Sequence, residues 1–298
     1  MERAIQVTVP SVFGKPNPSS FMKGESLNPS MFREGRSGPL LLAPLTDGKP
    51  IQLGAFSVRD KTMYDLKWDL HEELHFVGSS HGWIIALDKS LDLLLYNFFS
   101  RESIYISEKS EIQGLADSRN TMNLKVNLIY KAVLTANPSG TSNETYRVVI
   151  IPHWCSKLAS RGKSDAIWTV FGDADYYMDI SCYDGILYAV ADNGYTIEGW
   201  EFSKNSHYPS RKMSIKLNWD TDLSLSADYG PKLYLVPSKE EILYIERCID
   251  ELLNEEGEIN WGYKTIKFRV FRLDRAEEKL VRVKSLKDQV IFLGGETI

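Results

Sequence analysis

Cysteine is scarce: three occur in 298 residues, at Cys155, Cys182 and Cys248. The number is odd, the spacings are long and no C-x-x-C occurs. That argues against a disulfide framework, a zinc ribbon or a dithiol redox site, and it fits free thiols in a reducing compartment. No dense block of Lys and Arg is present and the formal net charge is −5, so nucleic acid is not expected as a partner. No apolar run approaches the roughly 20 residues of a membrane span. The opening MERAIQVTVPSVFGKPNPSS lacks the apolar core of a secretory signal. A cytoplasmic or nuclear protein is expected, and the Asn143-Glu144-Thr145 sequon is then coincidental. The G-x-S-x-G, G-x-G-x-x-G and P-loop patterns are also missing, so a serine nucleophile elbow and the common phosphate-cradling loops are not indicated.

Aromatic residues, by contrast, are plentiful, with 15 Tyr, 12 Phe and 7 Trp, which favours β structure over helix bundles. Residues 1–39 are rich in Pro, Ser, Gly and Lys and read as a loosely attached tail; residues 40–298 read as one folded domain. From Leu40 onward short apolar runs recur between turn signals. Examples are LLLA (40–43), YDLKWDL (64–70), WIIALD (83–88), LDLLLYN (91–97), TYRVVII (145–151), KLYLV (232–236) and VIFLG (290–294). Asp192-Asn193-Gly194, between GILYAVAD and GYTIEGWEF, predicts a hairpin turn because Asn and Gly tolerate positive φ. Only Asp60–His75 and Glu246–Glu256 carry competing helical signals. The chain therefore reads as all-β. A two-strand beat recurs loosely in SHGWIIALDKSLDLLLYN and YDGILYAVADNGYTIEGWEF. At about 45 residues per unit this predicts a β-propeller of about six four-stranded blades.

One stretch admits a different chemistry. HEELHFVGSSH (71–81) fits H-E-x-x-H-x-x-G-x-x-H. On a helix, His71 and His75 would share a face, Glu72 would act as base on a zinc-bound water, and His81 would be the third ligand. That would make the chain a zinc metallopeptidase. Against it, Tyr64–Leu70 alternates as a strand does, and few structured residues precede His71. The preferred reading puts His71 and His75 in a polar loop and His81 in a turn ahead of a strand, with no metal, no other cofactor and no catalytic residue.

Four segments in order, FVGSSHGWIIALD (76–88), YDGILYAVADNGYTIEGWEF (183–202), YLVPSKEEILYIER (234–247) and FRVFRLDRAEEKLVRVKSLKDQVIFLGG (268–295), resemble the plant KIB-type β-propeller family, also called domain of unknown function 295. Many of its members carry an F-box and serve as substrate receptors of ubiquitin ligases. The resemblance implies a propeller that binds a specific protein and links it to ubiquitin-dependent turnover. Two departures follow: no F-box motif is visible, and the chain stops soon after FLGG. The last blade is thus expected to be incomplete, with an open edge that invites self-association or a partner strand.

The function expected is a non-catalytic interaction module that sequesters, inhibits or routes a partner to degradation. A propeller binding a small ligand at its central channel is the remaining alternative. Interface energy concentrates in loop aromatics flanked by charge. Two loops qualify: CIDELLNEEGEINWGYK (248–264), with Glu255, Glu256, Trp261 and Tyr263, and GDADYYMD (172–179), with Asp173, Asp175, Tyr176 and Tyr177. Acidic loops of this kind favour a basic protein partner. Cys155, close to His153, reads as packing rather than as a nucleophile.

Overall fold

The computed structural model describes residues 40–44, 53–57, 62–65, 74–97, 100–108, 111–112, 115, 128–139, 146–153, 156–203, 206, 208–217, 232–238, 241–253, 259–287, 291 and 293; of 40–44, 53–57, 62–65, 193, 250–253 and 259–264 no side chain is described. The tail 1–39 lies outside these residues.

Antiparallel meanders account for the strands. The first sheet joins β1 (Leu40–Pro44), β2 (Leu53–Ser57) and β3 (Thr62–Asp65). Four four-stranded sheets follow. They are β4 to β7 (His75–Ser80, Trp83–Leu87, Leu93–Asn97, Ser103–Ser107) and β8 to β11 (Ile129–Leu134, Arg147–Pro152, Leu158–Gly162, Thr169–Phe171). Next come β12 to β15 (Tyr177–Tyr183, Ile186–Ala191, Thr196–Glu201, Ser210–Lys216) and β16 to β19 (Lys232–Pro237, Ile242–Leu253, Ile259–Asp274, Lys279–Arg282). In every sheet, strands adjacent in sequence are adjacent in space. The described sheet nearest the C-terminus has its four strands; the three-stranded one is the first.

The turns explain the recurring sequence beat. Ser80 pairs with Trp83 and Tyr183 with Ile186, leaving two-residue loops. Both loop residues have positive φ in each: His81 and Gly82 at 53° and 79°, Asp184 and Gly185 at 51° and 73°. That backbone matches the twist of a tight hairpin and asks for Gly at its second position. The Asp192–Gly194 segment also turns a hairpin, as a 3-10 turn between Ala191 and its partner Thr196.

In the sheets β4 to β7 and β12 to β15, burial falls from the middle strands to the last. All of β5 is buried, and so are Leu187–Ala191 of β13. Of their last strands, β15 is largely exposed and β7 buries only Ser107. A strand buried on both faces reads as an unbroken apolar run, and that is how WIIAL and LYAVA read. Each fully buried aliphatic side chain contributes about 1.5–3 kcal/mol.

By internal contacts the described residues fall into two compact units, those of 40–148 with Arg161–Ile167, and Val149–Ser160 with those of 168–287. In the first, β4 lies against β8. Gly78 sits at a register shift of β4, and a Cβ there would stand 2.0 Å from the Ala132 carbonyl oxygen. Nearby, the Ser80 hydroxyl donates to the Leu134 carbonyl (3.3 Å) and the Trp83 indole N–H to Asn137 (3.2 Å). In the second unit, β12 lies against β16, and the Leu235 amide donates to the buried Asp179 carboxylate at 2.6 Å. Tyr188, Val190, Ile197 and Ile215 pack there against Leu233, Leu235, Ile242, Tyr244 and Leu273. A turn residue, Arg275, reaches back to Asp184 (3.2 Å) and lies over the Tyr183 ring.

Candidate functional site: an acidic, aromatic loop cluster

The loop from β11 to β12 and the hairpin loop from β13 to β14 meet. The Asp175 amide donates to Asp192 Oδ1 (3.0 Å), and the Asp192 amide donates to the Tyr176 carbonyl (3.1 Å). This clasp gathers Asp175, Tyr176, Asp192 and Tyr195, with Tyr195 56 % exposed and Tyr176 37 % exposed. Partial burial, then the charges of Asp192 and Asp175, push the Tyr176 phenol above its ordinary pKa. It stays a neutral donor on an anionic surface.

Beneath the loop lies a rigid support. Glu198 on β14 is buried and accepts from the Tyr177 hydroxyl (2.8 Å) and from the Trp200 indole N–H (3.1 Å). Arg211 on β15 donates to Glu198 (3.1 Å) and to Asp173 (2.6 Å), and its guanidinium lies over the Trp200 ring. Burial, then the hydrogen bond to Glu198 and its charge, push the Tyr177 phenol far above its ordinary pKa. Phe171 meets Trp200 edge-on, with centroids 5.1 Å apart.

The sequence-predicted residues therefore separate. Asp175 and Tyr176 are on the surface as expected. Tyr177 is a correction: it is 5 % exposed and points into the support. Asp173 is exposed but its charge is matched by Arg211. Asp192 was read from sequence only as a turn residue and Tyr195 not at all, although Tyr195 directly follows the Asn-Gly turn signal, where a side chain is raised from a hairpin end. The second predicted loop, 248–264, is mostly not a loop. Its residues continue β17 and β18 as a two-stranded ribbon, with Tyr263 opposite Glu251 and Leu253 opposite Ile259. Trp261 and Tyr263 are thus on strand backbone, while Glu255 and Glu256 lie outside the described residues.

The zinc pattern meets a geometric obstacle. His75 opens strand β4 rather than lying in a loop or on a helix, and His81 is in the turn that ends it. Six extended residues separate them by about 20 Å at roughly 3.3 Å per residue. One ion binding imidazoles at about 2.0 Å cannot take both. His71 and Glu72 lie outside the described residues. Burial pushes the Cys182 thiol up to about 12, so little of it is thiolate at neutral pH. Cys155 lies outside the described residues. Among the described residues no helix is long and apolar enough to cross a membrane.

Burial also pushes the His75 imidazole below its ordinary value. A depressed folded pKa favours the neutral ring, so its share of stability is present above about pH 6.5 and is lost as pH falls toward the folded value. His75→Gln is expected to flatten the fall in urea midpoint between about pH 7 and pH 5. His153, lowered in the same way by burial, keeps part of the slope.

Small meandering four-stranded sheets, each laying its first strand against the first strand of a neighbour, define a β-propeller. The chain belongs to the KIB1-4 β-propeller family, whose model matches residues 55–297. It is 27 % identical over 165 residues to F-box protein SKIP23 of Arabidopsis thaliana, an alignment covering 51 % of this chain and 37 % of that protein. A second F-box protein of Arabidopsis thaliana is 28 % identical over 151 residues, covering 47 % and 34 %. The aligned stretch thus spans about a third of the length of these curated relatives. Among solved structures, the N-terminal domain of Nup159 is 8 % identical with a TM-score of 0.42, over 78 % of this chain and 55 % of that one.

Proposed function

We propose that the chain is a non-catalytic interaction module that captures a specific protein through a basic segment, seated on the acidic aromatic cluster of Asp175, Tyr176, Asp192 and Tyr195. The captured protein is then sequestered, inhibited or routed to degradation. The observation that carries the reading is the clasp of two loops that sets two exposed tyrosines among carboxylates on a buried hydrogen-bonded base. Tyrosine offers large contact area at low entropic cost, and pre-organisation reduces the ordering that binding demands. Kinship with F-box proteins supports the link to turnover.

The test is affinity capture from plant extract with the wild-type chain and with a Tyr176→Ala/Tyr195→Ala variant. A protein recovered by the wild type should fall at least tenfold with the variant, and cross-linking should place a Lys/Arg-rich segment of it on loop 172–176. If nothing is recovered that the variant loses, the reading fails.

A further inference from the structure

A second surface, of opposite charge, lies on the last described sheet. β18 is much longer than its outer neighbour. β19 pairs only with Phe271–Asp274, and the last ladder bond runs from the Val283 amide to the Val270 carbonyl (2.8 Å). Beyond it the chain turns away, so that no described strand lies beside the outer edge of 265–269. The divergence opens a groove of about 530 Å³ lined by Phe268, Arg269 and Val270 on one side and Arg282, Val283, Lys284, Ser285 and Leu286 on the other.

The groove has a distinctive chemistry. Phe268 is 52 % exposed, and Ile266, the extra residue where Cys248 opposes Lys267 and Ile249 opposes Thr265, is 51 % exposed. A bulge of this kind re-aims a side chain outward. Arg282 and Lys284 line the groove with Phe268, and exposed Lys287 follows next to Leu286 at its end. None of these three forms an ion pair with a described carboxylate, whereas Arg269, Arg272, Arg275 and Lys279 each do.

An edge that carries apolar contacts and unmatched cations selects its guest by charge. Unpaired N–H and C=O groups template an added strand. Cations directly across from a like edge are destabilising, so a second copy presenting the same edge is disfavoured. We propose that this edge takes an extended segment of another protein, with acidic and apolar residues alternating, as an added strand beside β18. The proposal is independent of the acidic loop cluster.

A displayed random library of 12-residue peptides, panned on the protein and counter-panned on an Arg282→Glu/Lys284→Glu variant, tests this. Both changes are at exposed positions, and an unchanged urea midpoint shows that the variant folds. The survivors should alternate Asp or Glu with Val, Ile or Phe. They should bind the variant at least tenfold more weakly, lose binding when a central residue becomes Pro, and bind Tyr176→Ala/Tyr195→Ala normally. Survivors without acidic residues, no survivors at all, or indifference to the Pro change would overturn the proposal. So would wild-type self-association in sedimentation that the charge reversal abolishes, because the occupant would then be a second copy.

Discussion

Gly78→Ala is expected to lower stability by about 3 kcal/mol, the upper end of what overpacking usually costs. The added methyl would meet the Ala132 carbonyl oxygen at 2.0 Å and its carbon at 2.9 Å. These are main-chain atoms of β8, held in a ladder, so no side chain can rotate aside. Relief requires β4 and β8 to separate, which also stretches the Ser80 hydroxyl contact to Leu134. The measurement is the urea midpoint at constant m-value. Gly82 supplies the control. A Cβ there meets nothing within 4 Å, and only its φ of 79° is demanding. Asn tolerates that region, so Gly82→Asn should cost under about 1 kcal/mol, while Gly78→Asn should be at least as damaging as Gly78→Ala. Equal effects at the two positions would show that the sheets yield to the added carbon.

Glu246→Ala is expected to cost about 3–5 kcal/mol. Glu246 on β17 is fully buried and pairs across the ladder with Arg269 on β18, whose side chain is 15 % exposed. Burial pushes the Glu246 carboxyl above its ordinary pKa, with Arg269 and then Lys267 opposing that push. Removing the carboxylate strands a guanidinium where water reaches it poorly. An ion pair out of water adds little over well-packed apolar residues. The double change Glu246→Leu/Arg269→Met should therefore recover most of the loss. Chemical denaturation of the two single variants and the double one closes the cycle. If Glu246→Ala costs under about 1 kcal/mol, the pair behaves as a surface pair does.

The middle strands of the sheets were legible because both their faces are buried. WIIAL, LLLY, VVII and LYAV need no alternation to be found. The two-residue turns were legible because their backbone admits few residues at the second position, and Gly fills it both times. Two of the first strands were harder. HFVGSS and YMDISCY mix polar with apolar residues, because at this edge a polar side chain can reach a neighbouring sheet. Ser80 and Asp179 both do so. LASRG in β10 was missed likewise: Ser160 is fully buried without being apolar. The zinc pattern arose in this same kind of strand, where the sequence signal is weakest. The ribbon of β17 and β18 read as a loop because its acidic residues mask the extended backbone. In the site, acidity and aromatic content located the 172–177 loop. They could not say that Tyr177 turns inward, because that depends on Glu198, 21 residues away.

The meander topology has a consequence for how the protein is made. Strands that pair are close along the chain, so loop closure is entropically inexpensive and hairpins form in microseconds. A ribosome adds only about 5–20 residues per second. Each sheet can therefore assemble as it leaves the exit tunnel: β4 to β7 are all present once Ser107 has emerged. The Gly78 seam must wait for Ala132, and until then nascent β4 displays a bare flank to the translating cell.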